Sequence, residues 1–280
     1  MWKCTRMILL VHSERDIAGV NIAKHVLQQF PFAKTDQTFQ ENPVYHAEIK
    51  GKQVTYITLN EEAVNAQNLP ENFPNAELVV FISRHSSQSG TPTLSVHTPG
   101  NLAAAELGGF PRSVSVSPAN AMQTALKALY RLKQEMKLDY EVSYECTHHG
   151  PSLQVPAMFV ELGSSEKQWN DQTAAAAVAK AAMDAIANFG KSERSAALGI
   201  GGTHYNRKFT QMALDGEAVF SHMIPKYAIP FVDSEILTQC VQRTQEKVES
   251  AILDWKGIKS EDKPKLLVSL AEIGLPAKKT

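Results

Sequence analysis

The chain has 280 residues, 43% hydrophobic and 20% charged, with a net charge of −1. These are globular proportions in a chain long enough to bury its own core, and near-neutrality excludes binding to nucleic acid by bulk charge, leaving only a local basic patch. Three widely spaced cysteines (Cys4, Cys146, Cys240) exclude a disulfide framework and a cysteine-based zinc finger. No apolar run approaches the ~20 residues of a membrane span, and Met7 to Val11 is too short for a signal-peptide core. The expectation is a cytoplasmic monomer without membrane or DNA partners.

Met7-Ile8-Leu9-Leu10-Val11 has the two-sided apolar character of a buried central strand. Asp16 reads as an N-cap, and Val20, Ala23, Val26, Leu27 and Phe30 follow at helical spacing up to Pro31. The loop between them carries His12, Ser13 and Asp16. Loops at the carboxyl ends of strands are where open α/β sheets hold ligands. Tyr45 to Ile49 and Val54 to Leu59 flank Lys50-Gly51-Lys52 as a hairpin. Leu78 to Ile82 is a second buried strand, predicted to break into a polar loop from Ser83 to Gly90. Leu94 to His97 is a short strand ended by Thr98-Pro99-Gly100-Asn101. Ser117 as cap and Pro118 at the first helical position open a helix with Met122, Leu126, Leu129 and Met136 on its apolar face.

Tyr140, Val142 and Tyr144 alternate as a strand that ends at Glu145, and Val155 to Leu162 is another. Ser165 with Gln168 reads as a capping box before an alanine-rich helix that ends at Gly190. Ser195 to Ile200 and Ala218 to Met223 are strands. A long helix is predicted from Asp233 through Leu237, Val241, Val248 and Ile252, and a shorter one from Lys265 to Ile273. No repeat or linker divides the chain, so the expectation is one domain over 1–280. Its predicted class is α/β, a three-layer α/β/α arrangement around a central mixed sheet.

Two strand ends carry the candidate chemistry. The first is Glu145-Cys146-Thr147-His148-His149-Gly150-Pro151. Neighbouring strand side chains face opposite ways, so both histidines serve one site only if the backbone turns, which Gly150-Pro151 permits. Neutral imidazoles act as general bases or metal ligands. The second is Gly199-Ile200-Gly201-Gly202-Thr203-His204-Tyr205. The N–H groups of Gly201 and Gly202 are candidates for holding a phosphate or oxyanion, although the run matches neither the P-loop nor the dinucleotide fingerprint. Arg84, His85, Ser86, His97 and Asn101 suit hydrogen bonding to ribose and phosphate. Arg207 and Lys208 are candidates for meeting a polyanion. Cys146 as a thiolate nucleophile is the weaker alternative to a half-buried strand cysteine. Spacing alone does not assemble a zinc site, which would need His148 or His149 with His204 and Glu145 or Glu161.

Taken together and in this order, these motifs, with Ser83-Arg84-His85-Ser86-Ser87 and His97-Thr98-Pro99-Gly100-Asn101, resemble the D-aminoacyl-tRNA deacylases of the archaeal and plant type over nearly the whole chain. The resemblance implies hydrolysis of the ester joining a D-amino acid to the 3′-terminal adenosine of tRNA. It implies a fold similar to peptidyl-tRNA hydrolases and nucleoside phosphorylases, aminoacylated tRNA as partner, and bound zinc with His148, His149 and His204 as the candidate ligands. Under it, His148, His149, His204, Thr147 and Glu145 are the catalytic candidates, and Arg84, His85, Ser86, His97, Asn101, Gly201, Gly202, Thr203, Arg207 and Lys208 the substrate-binding ones. Water activation by a histidine, directly or through zinc, and assistance by the substrate's own ribose hydroxyl both stay open. Two rival functions remain: a phosphorylase or hydrolase of free nucleosides or nucleotides, and a tRNA-binding module without catalysis.

Overall fold

The computed structural model describes residues 6–280, so Cys4 lies outside them. β1 (Met7–Ser13) is buried along its whole length, as a central parallel strand must be. α1 (Ile17–Gln29) is capped by Asp16, whose carboxylate accepts from the Gly19 N–H at 2.9 Å. β2 (Ala33–Phe39), β3 (Asn42–Ile49) and β4 (Lys52–Leu59) form an antiparallel meander. α2 (Leu69–Asn72) leads to β5 (Ala76–Ser86), followed by β6 (Thr93–His97), β7 (Gly100–Asn101), β8 (Ser113–Val114) and α3 (Ala119–Glu135). Next come β9 (Glu141–Tyr144), β10 (Ala157–Ser164), α4 (Glu166–Trp169), α5 (Gln172–Asn188) and β11 (Ala196–Ile200). The chain continues through α6 (Arg207–Leu214), β12 (Phe220–Ile224), α7 (Ser234–Gln242), β13 (Val248–Leu253), α8 (Lys263–Glu272) and β14 (Ala277–Lys279).

Among the described residues the strands build a large mixed sheet, ordered β2-β3-β4-β1-β5-β10-β6-β9, and a separate parallel sheet, β12-β11-β13-β14. The predicted α/β class with a central mixed sheet is what the chain forms. The second sheet, with its own core of Ile200, Leu237, Leu253 and Leu270, is an addition that the sequence reading did not separate. On one face of the large sheet Ile8, Leu10, Val80, Ile82, Met158 and Val160 pack under α1, α3 and α5. Twelve residues of α5 are buried, and its alanines bring it close to its neighbours.

The opposite face is apolar at Leu9, Val79, Phe81 and Phe159. Two residues further along the same face it turns polar. Ser83 pairs in register with Glu161, and His85 with Gly163. Because side chains alternate, these polar groups can only point away from the helices.

Four local expectations are corrected. Ser83 to Ser86 is strand, because β5 continues to Ser86 by pairing with β10. The long helix from Asp233 ends at Gln242, and Val248 to Leu253 is the strand β13, held between β11 and β14. Pro118, not Ser117, is the cap residue of α3. Ser165 bonds the Gln168 side chain at 2.6 Å rather than backbone N–H groups, and α5 is capped by Asp171.

Candidate active site

The continuation of β9 leaves the large sheet and bonds to the second one. Glu145 bridges to Tyr205, the Cys146 N–H donates to His204 O at 2.9 Å, and the Thr147 N–H donates to Met223 O at 2.9 Å. The two strand ends therefore meet. His149 takes a positive φ of 43°, which turns its side chain to the same side as His148. For a non-glycine residue this costs about 1–3 kcal/mol, and the turn is held by the Gly100 N–H donating to His149 O at 2.7 Å. A Cβ on Gly150 would lie 2.3 Å from Gly109 N and 2.4 Å from Val64 O, so only glycine allows this packing.

Three imidazoles converge here. His148 Nδ1 lies 2.8 Å from Cys146 O, His149 Nδ1 2.6 Å from Gly150 O, and His97 Nδ1 3.3 Å from Thr98 O. A carbonyl only accepts, so each ring carries a proton on Nδ1 and, when neutral, a lone pair on Nε2; burial disfavours charge on His97, but Glu161 outweighs it and raises the His97 pKa, which favours a second proton on its Nε2. One nitrogen of each ring lies within 4.8 Å of the other two. His97 stacks on Phe159 at 5.0 Å, and its Nε2 is buried with no hydrogen-bond partner among the described residues. Burial, reinforced by His149, holds the His148 pKa well below the usual imidazole range; burial and His97 push His149 down to about 4. Both are neutral near pH 7.

Two buried carboxylates face them. Glu145 is fully buried, with His204 Nε2 2.9 Å from Oε2 and His85 Nδ1 3.1 Å from Oε1. Burial opposes its ionisation, but the contacts from His204 and His85 outweigh that and hold its pKa well below the carboxylate range. Glu161 accepts from Ser83 Oγ at 2.7 Å, and burial is again outweighed, by His85 and His97, bringing it down to about 2. Burial also disfavours charge on His85, yet the two glutamates push its pKa up to about 11. His85 is thus an imidazolium between two carboxylates. Its Nε2–H donates to the Tyr205 hydroxyl at 2.6 Å, so the Tyr205 O–H is free to donate into the cavity.

His85, His148, His149, Glu161, His204 and Tyr205 line a cavity of about 610 Å³ with Asp16, Glu62 and Arg84, while His97 and Glu145 are fully buried and off its wall. His148 Nε2 faces Glu145 Oε2 at 3.6 Å, and His97 Nε2 faces Glu161 Oε2 at 3.7 Å. A neutral imidazole lone pair opposite an ionised carboxylate, as at His148 and Glu145, is repulsive unless a proton or a metal cation lies between them, and at His97 the proton is favoured by Glu161. One nitrogen from each of the three rings, with each Nδ1–H pinned to a carbonyl, is a set that could hold a divalent cation. The grouped nitrogens are those of His97, His148 and His149; His204 belongs instead with Glu145 and His148.

Other candidates are placed elsewhere. The Gly201 and Gly202 N–H groups are spent on Ile224 O and Gly257 O, so they hold no oxyanion. Both glycines have positive φ and pack tightly, with Asp254 O 2.9 Å from a Cβ position at Gly201. Thr147 Oγ1 is buried against His222 Nδ1 and the Met223 N–H, and Asn101 donates its amide to Gly108 O and Phe110 O. Thr203 Oγ1 donates to Tyr205 O. Arg84 reaches the cavity but pairs with Glu62 at 3.0 Å, and Ser86 lines the rim. Arg207 pairs with Glu141 and Lys208 with Asp254, both outside the cavity. Burial raises the Cys146 thiol, whose Sγ–H points at Thr203 O, so it is not a thiolate nucleophile. The sequence reading gave no site role to Tyr205 or Glu62; Tyr205 reaches the cavity through its bridge to Glu145, and Glu62 from the loop after β4.

A profile of the family described as D-aminoacyl-tRNA deacylase matches residues 72–278. A D-aminoacyl-tRNA deacylase of Pyrococcus abyssi is 37% identical over 276 residues, covering 96% of this chain and 98% of that one. The Thermococcus onnurineus protein of the same name is 35% identical over 275 residues, with the same coverage. The chain belongs to the D-aminoacyl-tRNA deacylase family. The crystal structure of a conserved protein of unknown function superposes on this family member with a TM-score of 0.86, at 31% identity, over 98% of this chain and 95% of that one.

Proposed function

We propose that this deacylase-family chain hydrolyses the ester of D-aminoacyl-tRNA at the His97–His148–His149 cluster, releasing free D-amino acid and tRNA. The observation that supports the proposal is the grouping of one nitrogen each of His97, His148 and His149 within 4.8 Å of one another, beside the buried, ionised Glu145 and Glu161, with His148, His149 and Glu161 on the wall of one cavity. The family resemblance brings zinc as the expected group, and His97, His148 and His149 would hold it. When bound there, zinc supplies a water acidic enough to ionise near neutral pH.

The remaining chemistry follows from the chain's own side chains. The Tyr205 O–H, polarised by the His85 imidazolium behind it, is placed to donate to the carbonyl oxygen as negative charge develops. His204 donates from Nε2 to Glu145 and presents Nδ1 to the Tyr227 hydroxyl at 3.0 Å. It can take up a proton at Nδ1 while Glu145 stabilises the resulting imidazolium. Glu161 and Glu145 hold His85 charged.

The test is release of amino acid from matched D- and L-aminoacyl-tRNA, before and after exhaustive chelation. Release from the D form, lost on chelation and restored by zinc, is the expected result. No release from either form would overturn the proposal and favour the nucleoside-acting alternative.

A further inference from the structure

A second cavity of about 610 Å³ opens on the other side of His148 and His149, between the 100–107 segment and the 225–231 loop after β12. It differs in chemistry from the first. The first cavity presents Asp16, Glu62 and Glu161 alongside Arg84, and Glu62 is paired to that arginine. The second is walled by Tyr227, Ala228 and Phe231, and by Leu107 where it borders the first, with Glu106 as its acidic side chain. Leu107, Tyr227 and Phe231 are 57%, 54% and 59% exposed. Among the described residues only seven large hydrophobic side chains are exposed, and these three gather on this one groove, with Phe110 further along the loop from Leu107. Lys226, next to Tyr227 in sequence, is exposed.

An aminoacyl ester has two unlike sides. One bears a free amino group, which carboxylates suit. The other bears an adenosine, whose base has an apolar face and whose 5′ side leads to a phosphate. With the reacting ester at His148 and His149, the two cavities offer one lobe to each side. Exposed aromatic rings beside an exposed lysine are the arrangement that stacks single-stranded bases and meets their backbone.

We infer that the groove walled by Leu107, Tyr227 and Phe231 is the seat of the 3′-terminal adenine, with Lys226 facing the adjoining phosphate, so that the amino acid occupies the carboxylate-lined cavity. This rests on the deacylase reading and adds the substrate's orientation to it. Tyr227 also touches His204, so Phe231 is the residue that isolates binding. Its side chain is largely exposed, and Arg112 bonds only its backbone carbonyl.

The experiment compares wild type, Phe231→Ala and, as an exposed hydrophobic elsewhere, Val268→Ala on 3′-O-D-alanyl-adenosine and 3′-O-D-tyrosyl-adenosine, and on the corresponding tRNAs. Phe231→Ala is expected to raise KM about ten-fold or more on all four, with kcat little changed. Val268→Ala leaves all four unchanged. Lys226→Gln is expected to raise KM and reduce the salt dependence on the tRNAs alone. A Phe231→Ala defect confined to the D-tyrosyl substrates would place the amino-acid side chain in the groove and overturn the inference. A defect on tRNA but not on the adenosine esters would place an upstream nucleotide there and overturn it too. No defect on any substrate would leave the groove without a role. Wild type inactive on every substrate would sink the deacylase reading itself. In that case adenosine contact, read by saturation-transfer NMR and expected to vanish in Phe231→Ala, still decides the groove.

Discussion

Gly163 is a point at which the fold sets the position of His85 tightly. It pairs with His85 across β10 and β5, and a Cβ there would lie 2.6 Å from His85 O, 2.7 Å from His85 Cβ and 2.7 Å from His85 Cδ2. Ordinary contact begins at 3.4 Å, so Gly163→Ala needs a displacement of about 0.7 Å in His85 or in the strand that carries it. Overpacking of this kind costs about 1–3 kcal/mol of stability, which in a chain of this size lowers Tm by roughly 2–10 °C. The same shift moves His85 off Glu145, Glu161 and Tyr205, all contacted within 3.7 Å. A misplacement of about 1 Å at a reacting centre costs on the order of 100-fold in rate, so kcat is expected to fall some ten- to hundred-fold. Steady-state deacylation and thermal melts on wild type and Gly163→Ala measure both. Gly199→Ala serves as control: its Cβ would meet Phe209 Cε2 at 2.6 Å in a core away from the cavity, so it lowers Tm with little change in kcat. Gly163→Ala retaining kcat within three-fold, at any Tm, would refute the argument that His85 must be held where it is.

Further outcomes follow from the same geometry. Thr147→Val removes the bonds to His222 Nδ1 and the Met223 N–H, so it should cost about 1–3 kcal/mol in chemical unfolding while leaving kcat near normal; a large loss of kcat without destabilisation would return Thr147 to the chemistry. His222 is fully buried, and burial, only partly offset by its bond to Arg243 O, pushes its pKa down to about 4. The unfolded state therefore binds the proton first, so this contribution is intact above pH 6.5 and is lost as pH falls toward 4, by about 3 kcal/mol at most. Unfolding midpoints of wild type and His222→Gln between pH 7.5 and 4.5 check it, and parallel profiles would contradict it. Arg207, 82% exposed and paired with Glu141, is expected to contribute under about 0.5 kcal/mol of stability, with Arg207→Gln altering the salt dependence of tRNA binding less than Lys226→Gln. His204→Ala should lower kcat by roughly 10²–10⁴-fold, and wild-type turnover would leave proton uptake to the substrate's ribose hydroxyl.

Much of the frame is legible in the sequence, because central parallel strands are buried on both faces and show it as unbroken apolar runs, as in Met7 to Val11 and Leu78 to Ile82. The meeting of the His148 and His204 strand ends is legible too, since polar residues crowding a strand end have little other reason to be there. What fails does so for physical reasons. β2 is an exposed edge strand of mixed polar residues with no alternation to detect. In β13, Val248 and Ile252 keep helical spacing from Leu237 and Val241, and only pairing with β11 and β14, distant in sequence, makes them a strand. Gly201 and Gly202 resemble an anion cradle, but they are glycines because Asp254, Ile258 and Asn206 occupy the space a side chain would need. His97 joining His148 and His149, and Glu161 facing His85, depend on the β5-β10-β6 register, which no local pattern encodes.

The central claim is that the three convergent imidazoles form the hydrolytic centre. Single-turnover release of D-amino acid at saturating enzyme, with tRNA affinity measured in parallel, tests it on wild type, His97→Ala, His148→Ala and His149→Ala. The account predicts a loss on the order of 1,000-fold or more in each variant, with affinity changed by no more than a few-fold. Near-normal release in all three would contradict it.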